Sequence, residues 1–272
     1  MLNITVVVPV RNEEKNLPRC LDALVDKFVA VVVVDSSSTD RTAEIAAKYG
    51  VEFVQFDWNG RFPKKRNWML LNYAFKTEWV LFIDADEIVS DAFVGEVSRA
   101  VREGAANAYW LRYTNVFLGK TLHFGVPQRK IALIKRGAGL YERIDEQRWS
   151  NLDMEVHEHP IIDGPVGEIR MPIRHEDDRG ILKFIEKHAD YAAWEARRLF
   201  ELRQGGNANG LTLRQKVKYG YVDQWWFAHF YFFYTYILRL GVLDGSAGFY
   251  YAFYKLWYFM TVRRIHAECQ EK

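Results

Sequence analysis

The sequence predicts an α/β fold: a Rossmann-like, mostly parallel sheet with flanking helices, followed by a C-terminal aromatic helical segment. Three observations predict it. Short apolar runs alternate with helical spacings over the first ninety residues. Polar and acidic residues collect where the apolar runs end. Aromatic residues make up 15% of the 272-residue chain and concentrate in its last fifty residues.

Ile4 to Val8 reads as the first strand. Asn16 to Val25 has helical spacing, with Leu17, Leu21 and Leu24 on one face. Val29 to Val34 is a second strand ending at Asp35. The polar turn Ser36-Ser37-Ser38-Thr39-Asp40 offers Thr39 or Asp40 as a cap for a helix from Arg41 to Tyr49, which Gly50 stops. Val51 to Phe56 is a third strand, Lys64 to Phe75 a helix, Trp79 to Ile83 a fourth strand and Asp91 to Arg102 a helix. Tyr109 to Val116, Lys130 to Lys135 and Glu168 to Ile173 read as strands of a mixed region, and Gly180 to Arg203 as a long helix. Gln204 to Gly210 is a Gly/Asn linker. The expected division is one domain over 1–203, in halves 1–100 and 101–203, and an aromatic segment over 211–272.

Apolar residues, 49% of the chain, allow a sizeable core and exclude a disordered chain. A net charge of +2 gives no sign of a nucleic-acid partner. Cys20 and Cys269 lie far apart and outside any Cys-x-x-Cys pattern, which fits a reducing compartment. The start, Met-Leu-Asn-Ile-Thr-Val-Val-Val-Pro, lacks the basic and long apolar regions of a signal peptide. No uncharged run is long enough for a simple membrane-spanning helix.

The run Trp79-Val80-Leu81-Phe82-Ile83-Asp84-Ala85-Asp86-Glu87 carries the most chemistry. In an extended strand Asp84 and Asp86 point the same way, and two converging carboxylates repel unless a cation sits between them. Hard oxygen ligands suit Mg²⁺ or Mn²⁺, ions commonly shared with a substrate's phosphates. The plainer reading is a solvated acidic loop.

Val7-Val8-Pro9-Val10-Arg11-Asn12-Glu13-Glu14, Asp35-Ser36-Ser37-Ser38-Thr39-Asp40 and Asp84-Ala85-Asp86-Glu87 follow the first, second and fourth strands. Together they resemble family 2 glycosyltransferases of the GT-A fold, most of all bacterial enzymes that build lipopolysaccharide cores and exopolysaccharides. Lys64-Lys65-Arg66-Asn67, Val156-His157-Glu158, Arg174-His175 and Arg239-Leu240-Gly241-Val242-Leu243-Asp244-Gly245 extend the resemblance over nearly the whole chain. It implies a nucleotide-binding half (1–100), an acceptor-binding half (101–203), and inverting transfer by an enzyme of the hexosyltransferase class. The donor would be a nucleotide-diphosphate-sugar, with UDP the default, and the acceptor a cell-surface glycan or a lipid-linked glycan.

The resemblance implies that Pro9, Arg11 and Glu13 line base and ribose, that Asp35 meets base or ribose, and that Asp57 and Arg66 lie near the uracil edge or the phosphates. Asp84 would contact the nucleotide. Asp86 would ligate Mg²⁺ or Mn²⁺, with His175 a third ligand; the alternative for His175 is a satisfied core histidine. Lys64, Lys65 and Arg66 offer charge for the diphosphate, unless the two lysines form a solvated helix face. Gln128 and Arg129 are further candidates for donor sugar or acceptor, although Arg129-Lys130-Ile131 departs from the family's Arg-Leu-Phe.

Inverting transfer needs a carboxylate that takes the acceptor's proton. Met154-Glu155-Val156-His157-Glu158-His159-Pro160 offers two, and the family pattern favours Glu158, with Glu155 as the fallback. If this segment is extended, Glu155, His157 and His159 share one face and Glu158 takes the other. A metal hydrolase built on His157, His159, His175 and Asp86 is a competing reading, and a membrane-docked scaffold without chemistry is another. A dehydrogenase is excluded because no Gly-x-Gly-x-x-Gly follows the first strand, and a nucleotidyltransferase because no Gly-rich phosphate loop stands there.

Trp225 to Tyr234 and Phe249 to Phe259 are rich in Tyr and Trp, which favour a membrane–water boundary. Lys216, Lys218, Arg239, Lys255, Arg263 and Arg264 can meet anionic headgroups. The segment reads as two helices lying in the interface, with Gly241 to Gly248 as the turn between them. A helical hairpin packed on the catalytic domain and a homodimer interface are the alternatives. The expected location is cytoplasmic, peripheral on the inner face of a bacterial plasma membrane.

Overall fold

The computed structural model describes residues 1–144, 149–150, 152–155, 158–206 and 211–271. The chain forms two compact units. The first comprises residues 1–115, 128–147 and 151–178, and the second residues 116–127, 148–150 and 179–272.

The first unit is built on a sheet whose strands run in the order β3-β2-β1-β4-β8-β6-β11-β5. Four strands form its parallel half: β1 (Leu2–Val10), β2 (Phe28–Asp35), β3 (Glu52–Gln55) and β4 (Trp79–Phe82). The helices α1 (Leu17–Asp22), α2 (Thr42–Lys48) and α3 (Lys65–Asn72) connect them. Every residue of β1 from Ile4 to Val10 is buried, as are Val31 to Asp35 and all of β4. Near-continuous burial is what helices on both faces of a parallel sheet impose, and it is why these runs read as unbroken apolar stretches.

After β5 (Glu87–Ile88) and α4 (Asp91–Glu103) the sheet turns mixed. Ser90 caps α4 by accepting from Phe93 N at 3.2 Å. β6 (Ala108–Phe117) and β8 (Arg129–Lys135) are antiparallel to each other, and β8 is antiparallel to β4. The short β7 (Lys120–Thr121) pairs with the end of β6, and β9 (Gly139–Tyr141) forms a ladder with β10 (Pro160–Ile162). β11 (Val166–His175) is parallel to β6, and its last two residues pair with β5.

The second unit is helical: α5 (Ile181–Arg203), α6 (Leu213–Tyr221), α7 (Phe227–Phe233) and α8 (Gly245–Gln270). Ala192, Ala196, Leu199, Tyr219, Val222, Tyr258, Phe259 and Val262 form its core. α5 belongs to this unit, its apolar face packing with α6 and α8. A wide π turn over Tyr234–Leu238 and a 3₁₀ turn over Gly241–Asp244 join α7 to α8. α8 begins at Gly245, inside the stretch expected to be turn, and Gly248 lies so close to the Gly241 carbonyl that a β-carbon would collide with it. No helix among the described residues is long and apolar enough to cross a membrane.

Candidate active site

The parallel strands bring their C-terminal ends to one edge, with Val10, Asp35 and Gln55 side by side in register. The loops there are stitched together. Asn12 N donates to Ser38 Oγ at 2.8 Å, and Thr39 N donates to Asn12 Oδ1 at 2.7 Å. Asp35 is buried and accepts from Ser38 N at 2.9 Å and from the Ser38 hydroxyl, so its carboxylate shapes its own loop. Exposed Asp57 accepts from Ser37 Oγ at 3.3 Å. Pro9 is buried within β1, Arg11 is exposed beyond it, and Glu13 accepts from Asn16 Nδ2 at 2.9 Å. Buried Asn16 also donates to Asp177 at 3.0 Å and accepts from Asp178 N at 2.9 Å, which ties this edge to the end of β11. Asp40 accepts from Thr42 N at 3.0 Å, while the N-cap position of α2 is Arg41, so neither Thr39 nor Asp40 occupies it.

β4 ends at Phe82, two residues short of the acids. Asp84 to Glu87 form a turn closed by Glu87 N donating to Asp84 O at 2.9 Å. Strand alternation therefore does not set the directions of Asp84 and Asp86, and they take different partners. Asp84 receives Arg66 Nη2 at 2.6 Å on one oxygen and Lys130 Nζ at 2.8 Å on the other. Lys130 Nζ also lies 2.7 Å from Glu87 Oε1, while Glu87 Oε2 accepts from Asp84 N at 3.1 Å. Asp86, 4% exposed, places Oδ2 3.4 Å from His175 Nε2.

These contacts set the charges. Burial pushes the Asp84 carboxyl up, but Lys130 and Arg66 outweigh it and hold it below the usual carboxylate range. Glu87 is pushed up to about 7 by burial, with Asp84 adding to the shift and Lys130 opposing it. Burial disfavours the Lys130 ammonium, yet Asp84 and Glu87 raise its pKa well above the lysine norm. Burial, with these acids nearby, keeps the Cys20 thiol protonated.

The cations at the start of α3 face inward. Lys64 Nζ lies 2.7 Å from Glu158 Oε1, with both side chains buried. Lys65 Nζ donates to Val10 O at 2.8 Å and pairs with Asp153 at 3.2 Å. Arg66 bridges Asp84 and the backbone oxygen of Glu155. Lys65 thus fixes the β1 edge and is not part of a solvated helix face. The Glu155 carboxylate accepts from Arg66 N at 2.9 Å and Asn67 N at 3.0 Å, which satisfies two orphan donors at the N-terminus of α3. That role gives Glu155 a place in the fold whether or not it serves as the fallback base. Glu158 lines a cavity of about 90 Å³ together with Trp58, Phe62, Lys64, Glu142 and Glu155.

Asp86 and His175 suit a divalent ion. His175 Nδ1 lies 3.1 Å from Asn115 Oδ1, and in the tautomer that donates this bond Nε2 offers its lone pair toward Asp86. Adjacent ligands of an octahedral Mg²⁺ or Mn²⁺ stand about 3 Å apart, close to the 3.4 Å between these two atoms. Among the described residues no three His, Cys, Asp or Glu side chains gather for a metal, so phosphate oxygens and water would complete the shell. His157 lies outside the described residues. The His159 backbone pairs with Glu142, its N–H donating to the carboxylate at 3.2 Å.

Lys130, Glu87 and Asn115 are the site residues that sequence reasoning missed. A signal for Lys130 lies in the pairing of β4 with β8: Leu81 faces Leu133, and extending that register by three residues sets Lys130 opposite Asp84.

Comparison with known proteins gives the family. Residues 5–151 match the family model for glycosyl transferase family 2, a span that includes Asp35, Arg66, Asp84, Asp86 and Lys130. The chain is 28% identical over 167 residues to the lipopolysaccharide core biosynthesis glycosyltransferase LpsC of Rhizobium meliloti strain 1021, covering 58% of this chain and 57% of LpsC. It is 36% identical over 101 residues to the SPbeta prophage-derived glycosyltransferase SunS of Bacillus subtilis strain 168, covering 36% of this chain and 24% of SunS. The matches span 21% to 24% of the length of the first curated relatives. Among solved structures, S. aureus TarS 1–349 in complex with UDP-GlcNAc is similar with a TM-score of 0.48 and 17% identity, covering 99% of this chain and 92% of that chain. On the family model matched over more than half its length, the chain belongs to glycosyl transferase family 2.

Proposed function

We propose that this protein transfers a sugar from a nucleotide-diphosphate-sugar, a UDP-sugar by default, to a hydroxyl of a cell-surface glycan or lipid-linked acceptor, with inversion. The observation that carries the reading is the Asp86–His175 pair, 3.4 Å apart beside Asp84 at the end of β4, in a chain of this family. The similarity to LpsC, a lipopolysaccharide core biosynthesis enzyme, supports the acceptor class.

In this reading Asp35, Asp57, Pro9, Arg11 and Glu13 form the wall for base and ribose, and Asp84, oriented by Arg66, takes the nucleotide. Asp86 and His175 would hold Mg²⁺ or Mn²⁺, which would offset negative charge on the departing nucleotide diphosphate. Glu158, held by Lys64, accepts the proton of the attacking hydroxyl. Trp58 and Phe62 give the cavity beside Glu158 an apolar wall of the kind that seats a sugar ring, and Glu142 supplies an acceptor for its hydroxyls.

The second unit exposes Trp225 at 70%, Leu243 at 62% and Phe230 at 52%. Residues 211–272 carry eight Lys or Arg against four Asp or Glu. Aromatic and aliphatic exposure together with basic charge supports peripheral docking on an anionic membrane face, which would bring the enzyme to a lipid-linked acceptor.

A panel of nucleotide sugars screened for metal-dependent thermal stabilisation tests the donor assignment. One UDP-sugar should raise Tm more than UDP-free controls. No stabilisation by any nucleotide sugar, with or without Mn²⁺, would overturn it.

A further inference from the structure

Both oxygens of Asp84 are taken, one by Arg66 and one by Lys130. Both oxygens of Glu87 are taken as well, one by Lys130 and one by the Asp84 N–H. The ammonium of Lys130 thus occupies the point where two carboxylates of the strand-tip cluster converge. A divalent ion that sought those oxygens would have to displace an ammonium held by two carboxylates. Displacing it would set a divalent cation against that ammonium and strip Asp84 and Glu87 of a charge-assisted hydrogen bond each. Among the described residues, Asp86 Oδ2 and His175 Nε2 face one another at 3.4 Å. Among the described residues no third such side chain joins them, and an ion that prefers six ligands is poorly held by two unless the substrate's phosphates supply more.

We propose that Lys130 is a built-in counter-cation that denies Asp84 and Glu87 to a divalent ion, so that Mg²⁺ or Mn²⁺ binds here only together with a nucleotide diphosphate. The inference rests on the nucleotide-sugar reading above and adds the order of assembly. Lys130 acts as a positioning residue: it holds Asp84 for the nucleotide and leaves Asp86 and His175 as the metal's protein ligands. Because coupling of two ligands is reciprocal, Mn²⁺ must tighten UDP by the same factor that UDP tightens Mn²⁺.

The test is a Mn²⁺ titration read by the electron paramagnetic resonance signal of the free ion. It is done on the full chain, with and without UDP. Wild type should bind Mn²⁺ at least tenfold more tightly with UDP than without it. Lys130→Met should bind Mn²⁺ without UDP at least tenfold more tightly than wild type. Asp84→Asn in the Lys130→Met background should abolish that gain, a result that a general structural role for Lys130 would not produce. Lys130→Gln, neutral and hydrogen-bonding, replaces the Met variant if circular dichroism shows the latter unfolded. Equal Mn²⁺ affinity of wild type with and without UDP overturns the proposal. So does wild type binding Mn²⁺ with UDP while neither neutral variant gains affinity without it, and in that case the nucleotide-sugar reading survives. No Mn²⁺ binding by wild type even with UDP overturns both.

Discussion

Lys64 Nζ and Glu158 Oε1 lie 2.7 Å apart, and both side chains are buried. The pair joins the start of α3 to the segment that precedes β10 and places Glu158 on the wall of the 90 Å³ cavity. A buried pair is costly to break, because the charge left behind loses the opposite charge that offset its burial. Lys64→Met should therefore destabilise the fold by about 3–5 kcal/mol. The double variant Lys64→Met/Glu158→Gln should recover most of that loss in a denaturant titration, since it leaves neither charge behind. It should nonetheless remain inactive in transfer while binding UDP. A double variant as active as wild type would remove Glu158 from the chemistry.

Arg66 offers a second separation. Its guanidinium reaches Asp84 and the Glu155 backbone oxygen at once, a fork that a lysine lacks. Arg66→Lys should cost about 1.5–3 kcal/mol, the range for a lost hydrogen bond to a charged group, and should weaken UDP binding through a misplaced Asp84. Calorimetry of UDP binding beside a thermal melt checks both. Unchanged UDP affinity in a destabilised variant would restrict Arg66 to a structural role.

The parallel half of the sheet was legible because its strands are buried on both faces and so appear as unbroken apolar runs ending in polar residues. Asp84 and Asp86 stood out for the same reason. Their surroundings did not. Lys130 faces Asp84 only through an antiparallel pairing with no local sign in the chain. The Glu155 cap lies 88 residues from the Asn67 N–H that it serves, and capping patterns are read over three or four residues. Lys64, Lys65 and Arg66 read as charge for a diphosphate, or for the two lysines as a solvated helix face, because nothing local announces that Glu158, Asp153 and Asp84 come to meet them. The long helix α5 carries a clear apolar face, but periodicity does not say which unit that face will join.

The second unit yields a pH prediction. Lys255 is pushed down to about 8 by burial, reinforced by Lys218 and Arg214 and opposed by Glu195, while its ammonium lies over the rings of Tyr251 and Tyr258. A lysine whose folded pKa is depressed carries its full cost below that pKa, where the buried group is charged. The cost fades as pH rises from about 8 toward the ordinary 10.5, because the unfolded chain then also loses its proton. Lys255→Met should raise Tm at pH 7, by about 2–4 °C per kcal/mol recovered, and the advantage should shrink steadily between pH 8 and 10.5. An advantage that grows over that window would contradict the assignment.

Membrane docking is tested by co-sedimentation with vesicles containing anionic lipid. The full chain should pellet with them, and raised salt should release part of it. The double variant Trp225→Ser/Phe230→Ser should bind at least tenfold more weakly without loss of Tm, because both side chains are exposed. Binding that survives these substitutions would move the contact elsewhere, and a wild-type chain that stays in solution would end the proposal.

The central claim is that the edge beside β4 holds a nucleotide diphosphate through Asp86, His175 and a divalent ion. Isothermal titration of UDP into wild type and Asp86→Ala, each with Mn²⁺ and with EDTA, tests it most directly. Wild type should lose at least tenfold in UDP affinity when Mn²⁺ is removed, and Asp86→Ala should bind UDP weakly and equally in both conditions. Equal UDP affinity with Mn²⁺, with EDTA and in the variant would contradict the account.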